Sequence, residues 1–217
     1  MSNILKRSIS GFLYVLILWG CTSYSKISFG ILFLIIGVIS VYEMWNLRIG
    51  KPKLIALGYV IIPFIIIQFF GGLDHNYPEI KFDPSPILVV FILTWVFDTF
   101  AFLVGSKFGK NKILPKISPK KSWEGFVGGF VFTIISAYFI KLYFHNFQIE
   151  LLISLSFIVP FTATAGDFIE SYYKRNANVK DSGTIIPGHG GMLDRMDSFM
   201  ITIPVLYILI NLLNENT

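Results

Sequence analysis

The chain has 217 residues, of which 54% are hydrophobic and only 14% are charged, and its formal net charge is +5. Its mean hydropathy of +0.67 lies far above the range of soluble domains of this size, so the composition excludes an ordinary water-soluble protein. The single cysteine, Cys21, excludes an internal disulfide and is interpreted as a small packing residue. We therefore predict an all-α, polytopic integral membrane protein.

Seven apolar runs approach the roughly 20 residues that a transmembrane helix needs. The predicted spans are residues 10–24, 27–45, 54–71, 86–105, 125–140, 151–166 and 199–213. The first run follows Lys6 and Arg7, as a secretory signal would, but no small-x-small cleavage site follows and the second run begins almost at once. The first run is therefore predicted to be a span, and residues 1–90 to form a group of three spans.

Basic residues indicate the orientation, because cytoplasmic loops retain lysine and arginine in excess. With a cytoplasmic N-terminus, 15 of the 18 basic residues are cytoplasmic, and three are external: Lys26, Lys81 and Lys141. The odd number of spans then places the C-terminus outside. Two cytoplasmic loops, residues 106–124 and 171–198, are also rich in Gly, Pro, Ser and Asp, which contacts with lipid head groups alone do not explain.

Carboxylates also gather at the predicted cytoplasmic side. Four aspartates lie in or beside the ends of spans there: Asp98, Asp167, Asp194 and Asp197. Ionisable groups near membrane depth are costly, so they usually face a cavity, a charged partner or an ion. Asp98 is open to two interpretations, a structural partner for a lysine or a functional residue. Glu43, at the end of the second span, is most simply interpreted as an interfacial charge paired with Arg48.

The second polar loop, SYYKRNANVKDSGTIIPGHGGMLDRMDS at residues 171–198, mixes acids, bases and glycines. Its glycines allow the backbone to approach a bulky anion closely. Aspartate oxygens suit Mg²⁺, a hard cation that bridges carboxylates and substrate phosphates. This composition is typical of a magnesium-nucleotide site. His189 is interpreted as a phosphate hydrogen-bond donor or a loop organiser, since the sequence offers no partner set for a transition metal.

This segment resembles the signature of the phosphatidate cytidylyltransferase family, also called CDP-diacylglycerol synthases. The matching residues are Gly166, Asp167, Glu170, Ser171, Lys174, Arg175, 180–183, 187–191, Asp194, Arg195, Asp197 and Ser198. A second block strengthens the resemblance, with Asp98, Thr99, Gly105, 108–110 and the run ISPKKSWEG at 117–125. The chain departs from the family at Phe102, Ser106 and Ser122, where Tyr, Arg and Thr are usual. Lys107 is a candidate substitute for the missing arginine.

The resemblance implies that residues 91–217 are the catalytic region, which converts CTP and phosphatidate to CDP-diacylglycerol and pyrophosphate at the cytoplasmic face of the cell membrane. It implies Mg²⁺, a second cation such as K⁺, a membrane-lipid environment, a homodimer and no nucleic-acid partner. The implied metal ligands are Asp98, Asp167 and Asp194. The implied catalytic residues are Asp167, Lys180, Asp194, Arg195 and Asp197. The implied substrate-binding residues are Ser118, Lys120, Lys121, Ser171, Lys174, Arg175, Asp181, His189, Gly190 and Gly191.

Two other classes of protein stay open. A CTP-dependent polyprenol or phytol kinase would share the nucleotide but phosphorylate an alcohol, and the complete signature disfavours it. A membrane transporter would also place acids at membrane depth, but it would need polar residues along a path to both faces. Here the polar residues gather at one face. CDP-alcohol phosphotransferases are excluded because their spaced aspartate pattern is absent.

Overall fold

The structure, a computed structural model, describes residues 3–70, 82–145 and 147–214. These residues form seven α-helices: α1 (Asn3–Tyr24), α2 (Lys26–Leu47), α3 (Leu54–Phe70), α4 (Ser85–Phe108), α5 (Trp123–Tyr143), α6 (Ile149–Asn176) and α7 (Leu193–Asn214). Between α4 and α5, strands β1 (Lys112–Leu114) and β2 (Ser118–Ser122) pair as an antiparallel hairpin. The predicted all-α membrane class is confirmed, while the short hairpin in the first polar loop was not anticipated. Lys81 and Gly71 lie outside the described residues.

Each of the seven helices overlaps one predicted apolar run. Among the described residues, four helices are long and apolar enough to cross a membrane: α2, α4, α5 and α6. Helix α3 is equally apolar but has 17 residues. Helices α1 and α7 have 22 residues each, and both begin with charged turns, which carry Lys6 and Arg7 in α1 and Asp194, Arg195 and Asp197 in α7.

Helix α6 continues ten residues beyond the predicted sixth span, to Asn176. The apolar run ends at Gly166, but the residues that follow are compatible with a helix and carry polar side chains beyond the apolar layer. One face of α6 therefore carries four polar residues that are related by spacings of three and four: Asp167, Glu170, Ser171 and Lys174. Of the predicted loop at residues 171–198, only residues 177–192 lie outside helices.

Aromatic side chains form the core that supports the polar end of α7. Phe91 of α4 lies between Phe33 of α2, with ring centroids 6.3 Å apart, and Phe199 of α7, at 5.0 Å. All three side chains are buried, and aromatic pairs at such distances add packing energy beyond their buried area. Because Phe199 directly follows Ser198, this core holds the charged first turns of α7 in place.

Candidate active site

Helices α6 and α7 approach each other closely at Gly166. A Cβ atom at this position would collide with the carbonyl oxygen of Asp197, so the approach requires glycine. The hydroxyl of Tyr59 on α3 donates a hydrogen bond to the carbonyl of Gly166 at 2.8 Å, so α3 also contacts α6 at this position. The contact brings Asp167 of α6 beside Asp197 of α7.

We expect Gly166→Ala to push these helices apart, lower the melting temperature by several degrees and reduce activity, because overpacking costs about 1–3 kcal/mol. The matched control is Gly20→Ala, since a Cβ at Gly20 has no described atom within 4 Å. Alanine there should keep or raise the melting temperature through its better helix propensity. Thermal unfolding in detergent micelles compares the two variants, and equal melting temperatures would contradict the close contact.

Three carboxylates meet where the two helices come together. One oxygen from each of Asp167, Glu170 and Asp197 lies within 4.8 Å of the others. Glu170 is fully buried, and among the described residues its carboxylate has an ion pair with Lys174 but no other hydrogen-bond partner. Asp197 accepts a hydrogen bond from the backbone N–H of Ser198 at 2.7 Å. A buried carboxylate with unused acceptor capacity is the kind of group that holds a cation.

Two lysines bind these carboxylates from different elements. Lys121 of β2 forms an ion pair with Asp167, and Lys174 of α6 pairs with Glu170 and with Asp194, whose Oδ1 lies 2.7 Å from its Nζ. We call these six side chains the carboxylate cluster: Lys121, Asp167, Glu170, Lys174, Asp194 and Asp197. Four carboxylates against two ammonium groups leave two negative charges when all are ionised, which is the charge that one divalent cation neutralises.

The oxygen donors of the cluster fit a hard cation such as Mg²⁺. Of the three metal ligands predicted from sequence, only Asp167 lies in the close group of three oxygens. Asp194 accepts hydrogen bonds from Lys174 and from the backbone N–H groups of Ser182, at 2.9 Å, and Gly191, at 2.8 Å. Each carboxylate oxygen has two lone pairs, so these bonds are compatible with a metal contact. Asp98 of α4 is not one of the three, but it lines the same cavity as Asp194 and Asp197.

A cavity of about 500 Å³, here called the hairpin cavity, lies between the hairpin and helices α4 and α5. Its lining includes the predicted residues Asp98, Ser118, Lys120 and Lys121. Ser106, at the position where the family usually has arginine, lines the cavity as well, and its hydroxyl donates to the carbonyl of Leu103. Lys112 supplies a further cation to the described lining, whereas the suggested substitute, Lys107, is not part of it.

A second cavity, of about 370 Å³ and here called the loop cavity, lies against residues 180–190. Its charged lining residues are Arg7, Lys180, Asp181 and Arg195, and His189 also lines it. Gly188 and Gly190 have positive φ angles of 78° and 88°, so glycine is needed for the turn on both sides of His189. Arg195 donates to the carbonyl of His189 at 3.0 Å.

His189 contacts the first helix as well as the loop. Its Nδ1 lies 2.9 Å from the hydroxyl oxygen of Ser10. That hydroxyl donates to the carbonyl of Pro187 at 2.8 Å. Partial burial and the positive charges of Arg195 and Arg7 lower the pKa of His189. The imidazole is therefore neutral at physiological pH and provides one donor and one acceptor.

A third cavity, of about 330 Å³, connects the two signature blocks. This central cavity is lined by Asp98, His189, Asp194, Arg195 and Asp197, together with residues of α1. Asp98 also lines the hairpin cavity, while His189 and Arg195 also line the loop cavity. Most of the predicted catalytic and substrate-binding residues line one of these three adjoining cavities. Those that line none of the three are Asp167, Ser171, Lys174, Arg175 and Gly191.

Three predicted substrate-binding residues have contacts that organise the site. The buried Ser171 donates to Asp167 at 3.2 Å. The guanidinium of Arg175 donates to the carbonyls of Ile117 and Val179, at 3.3 and 3.1 Å, so it ties the hairpin to the end of α6. Gly191 packs against the side chains of Ser182 and Glu43 so closely that a Cβ atom would collide with Ser182.

Sequence reasoning missed the contribution of the N-terminal helices. The interpretation of Glu43 as an interfacial charge paired with Arg48 is wrong, because Glu43 is buried and Arg48 donates instead to the carbonyl of Pro52. Glu43 accepts hydrogen bonds from the N–H groups of Met192, at 3.0 Å, and Leu193, at 2.8 Å, and from the hydroxyl of Ser182, at 2.9 Å. A lone carboxylate in an otherwise apolar helix was the signal for this role.

The fold and the site together define a helical membrane protein whose carboxylate cluster is surrounded by cation-lined cavities, as a site for phosphate groups requires. The profile of the cytidylyltransferase family matches residues 52–213. The chain belongs to this family.

Individual relatives agree with that assignment. A phosphatidate cytidylyltransferase of Rickettsia typhi is 35% identical over 215 residues, which cover 94% of this chain and 91% of the relative. A protein of the same name from Staphylococcus haemolyticus is 44% identical over 186 residues, covering 76% of this chain and 71% of the relative. A third, from Thermotoga maritima, is 43% identical over 159 residues, covering 70% of this chain and 58% of the relative.

Proposed function

We propose that this chain converts CTP and phosphatidate to CDP-diacylglycerol and pyrophosphate, and so serves phospholipid biosynthesis. The observation that carries the proposal is the carboxylate cluster at the junction of α6 and α7, with cations on both sides of it. The relatives named phosphatidate cytidylyltransferase support the same reaction. The polar residues gather at one end of the helices, which favours an enzyme over a transporter.

The reaction needs positioning and charge neutralisation more than acid–base chemistry. A phosphate oxygen of phosphatidate attacks the α-phosphorus of CTP, a new P–O bond forms, and the bond from that phosphorus to the β-phosphate breaks, so pyrophosphate leaves. A phosphomonoester is already largely dianionic near neutral pH, so the nucleophile needs no general base. The abundance of lysine and arginine in the three cavities suits such a reaction.

The proposed roles follow the cavities. Lys180, His189 and Arg195 bind phosphate groups in the loop cavity, and Ser118 and Lys120 do so in the hairpin cavity. The hairpin cavity shares Asp98 with the central cavity, and the loop cavity shares His189 and Arg195 with it, so two phosphate-bearing substrates have separate approaches to one centre. Asp181 lines the loop cavity beside Lys180. The remaining predicted binding residues hold this arrangement through their contacts: Lys121, Ser171, Lys174, Arg175, Gly190 and Gly191.

Mg²⁺ is the proposed cofactor, and when bound it would neutralise negative charge on the substrate phosphates. Its proposed ligands are Asp167 and Asp194, with Asp98 assisting, and the oxygens of Glu170 and Asp197 complete the donor set near Asp167. A second cation such as K⁺ and a homodimer are retained in the proposal on the family resemblance alone.

The proposed topology has seven spans in the cell membrane, with the N-terminus and the active site cytoplasmic and the C-terminus external. The excess of basic residues at one side supports this orientation. The contact of Ser10 with Pro187 and His189 supports it too, since the beginning of α1 lies at the same end of the molecule as the loop cavity.

The test uses detergent-purified protein with phosphatidate and CTP labelled with ³²P at either the α- or the γ-phosphate, with and without Mg²⁺. We expect a lipid-soluble product from α-labelled CTP only, dependent on Mg²⁺, together with free pyrophosphate. Lipid-soluble label from γ-labelled CTP and an added polyprenol would replace the proposal with a kinase. No labelled lipid from either nucleotide with well-folded protein would contradict both.

A further inference from the structure

A large apolar groove of about 810 Å³ lies between α1 and α2, outside the carboxylate cluster. One wall consists of α1 residues spaced four apart: Ile9, Leu13, Ile17 and Cys21. The facing wall includes Ile31 and Ile35 of α2, which are each 53% exposed. Leu13 and Ile17 are exposed to a similar degree. The groove is therefore open towards the bilayer along its length. We call it the α1–α2 groove.

The length of the groove matches one leaflet of a membrane. At the rise of an α-helix, about 1.5 Å per residue, the twelve steps from Ile9 to Cys21 span about 18 Å. The hydrocarbon region of one leaflet is about 15 Å deep, half of the full core. A groove of this length accommodates a lipid chain that lies parallel to α1.

The groove is continuous with the polar cavities at its cytoplasmic end. Ile186 lines the groove, the loop cavity and the central cavity, and Tyr14 lines the groove and the central cavity. The loop cavity presents Arg7, Lys180 and Arg195 against a single carboxylate, Asp181. An apolar groove that ends at an excess of cations is complementary to a lipid whose head group is anionic.

We propose that the α1–α2 groove binds an acyl chain of the phosphatidate substrate, with Arg7 contacting the phosphate at its polar end. This inference rests on the proposed function. A phosphomonoester carries roughly −1.5 to −2 charges and has no covering choline or ethanolamine, so it suits these cations better than a bulk phospholipid does. Helices α1 and α2 precede the family match at residues 52–213, so the family signature does not assign this site.

Filling the groove tests the proposal kinetically. Leu13→Trp places a large side chain in the groove, and Leu16→Trp is the matched control, since Leu16 is similarly exposed but lies outside the lining. We expect Leu13→Trp to raise the KM for dioleoyl phosphatidate at least fivefold, with kcat and the KM for CTP unchanged and with little effect on dihexanoyl phosphatidate. Identical kinetics in the two variants would overturn the proposal.

A binding measurement keeps the test independent of turnover. A bimane fluorophore on Cys21, a groove residue and the only cysteine of the chain, reports quenching by lipids with brominated acyl chains. The control carries Leu16→Cys with Cys21→Ser. Brominated phosphatidate should quench more strongly than brominated phosphatidylcholine at Cys21 but not at the control position. Equal quenching by both lipids at both positions would overturn the proposal that the α1–α2 groove binds phosphatidate. Absence of CDP-lipid from the unmodified enzyme would overturn the proposed function instead.

Discussion

Asp194→Asn should leave the fold intact and remove nearly all turnover, by on the order of 100-fold or more, as expected when reacting groups are misplaced by about 1 Å. One carboxylate here joins three parts of the site: Lys174 on α6 and the backbone N–H groups of Ser182 and Gly191 in the loop. Asparagine keeps a single acceptor oxygen, and its NH₂ group would face either the ammonium or the backbone donors. The loop, the lysine and the proposed metal site would all shift.

The measurement is the initial rate of CDP-lipid formation at saturating Mg²⁺, together with the melting temperature. Asp83→Asn is the control, because Asp83 is exposed just before α4 and, within the part of the chain that the structure describes, its carboxylate accepts only from the nearby N–H of Ser85. Adding Lys174→Gln to Asp194→Asn separates two roles. Recovery in the double variant would mean that Asp194 only neutralises Lys174, and normal turnover in the single variant would refute any essential role.

The sequence predicted the helices well because apolar runs of membrane length are a strong signal. All seven runs coincide with helices, but hydropathy ends α6 at Gly166, ten residues before the helix ends at Asn176. Beyond the apolar layer, polar helical residues cannot be told from a loop by hydropathy. This is why Glu170, one turn after Asp167, was noted only as part of a motif although it lies at the centre of the carboxylate cluster.

The hairpin was missed for a related reason. Strand β2 consists of SPKKS, which has neither β-branched residues nor alternating hydrophobic side chains, so it gives no strand signal. The hairpin depends on contacts outside the strands. The carboxylate of Glu124, for example, accepts hydrogen bonds from three donors: the backbone N–H groups of Lys110 and Asn111 and the side chain of Asn111. The motif located the lysines but could not show that Lys121 would reach Asp167 on α6.

Apart from the signal that the lone carboxylate of Glu43 provides, the role of α1 and α2 could not be predicted, because their contacts with the site are far apart in the sequence. Ser10 contacts His189, and Glu43 contacts Met192 and Leu193, and the partners of each pair differ by 149 or more in residue number. Motifs within the second half of the chain carry no information about such pairs. The charges of these helices were therefore read as topology signals, although Glu43 and Arg7 lie at the edge of the site.

Glu43→Ala should loosen the loop at residues 177–192 and lower kcat by about 10–100-fold, the usual effect of removing a residue that orients ligands. The side chain caps the beginning of α7, where unpaired backbone N–H groups and the helix dipole favour a negative charge. Without it, the N–H groups of Met192 and Leu193 and the hydroxyl of Ser182 lose their acceptor, at about 1–3 kcal/mol for each buried donor left unpaired.

The effect should reach the carboxylate cluster because Ser182 lies between the two carboxylates: its hydroxyl donates to Glu43 and its backbone N–H to Asp194. Loosening is measured as faster tryptic cleavage after Lys180 and a lower melting temperature, alongside kcat and the two KM values.

Glu43→Gln should fall between the wild type and Glu43→Ala, since the amide keeps the volume but turns an NH₂ group towards at least one of the three donors. Glu150→Ala, at an exposed position in the first turn of α6, is the control and should leave the cleavage rate, kcat and both KM values unchanged. It should lower the melting temperature only slightly, because an exposed charge in a first helical turn contributes about 0.3–1 kcal/mol. If Glu43→Ala matched Glu150→Ala in cleavage rate, stability and kcat, the loop would be held without α2, and the N-terminal helices would contribute only to the membrane anchor.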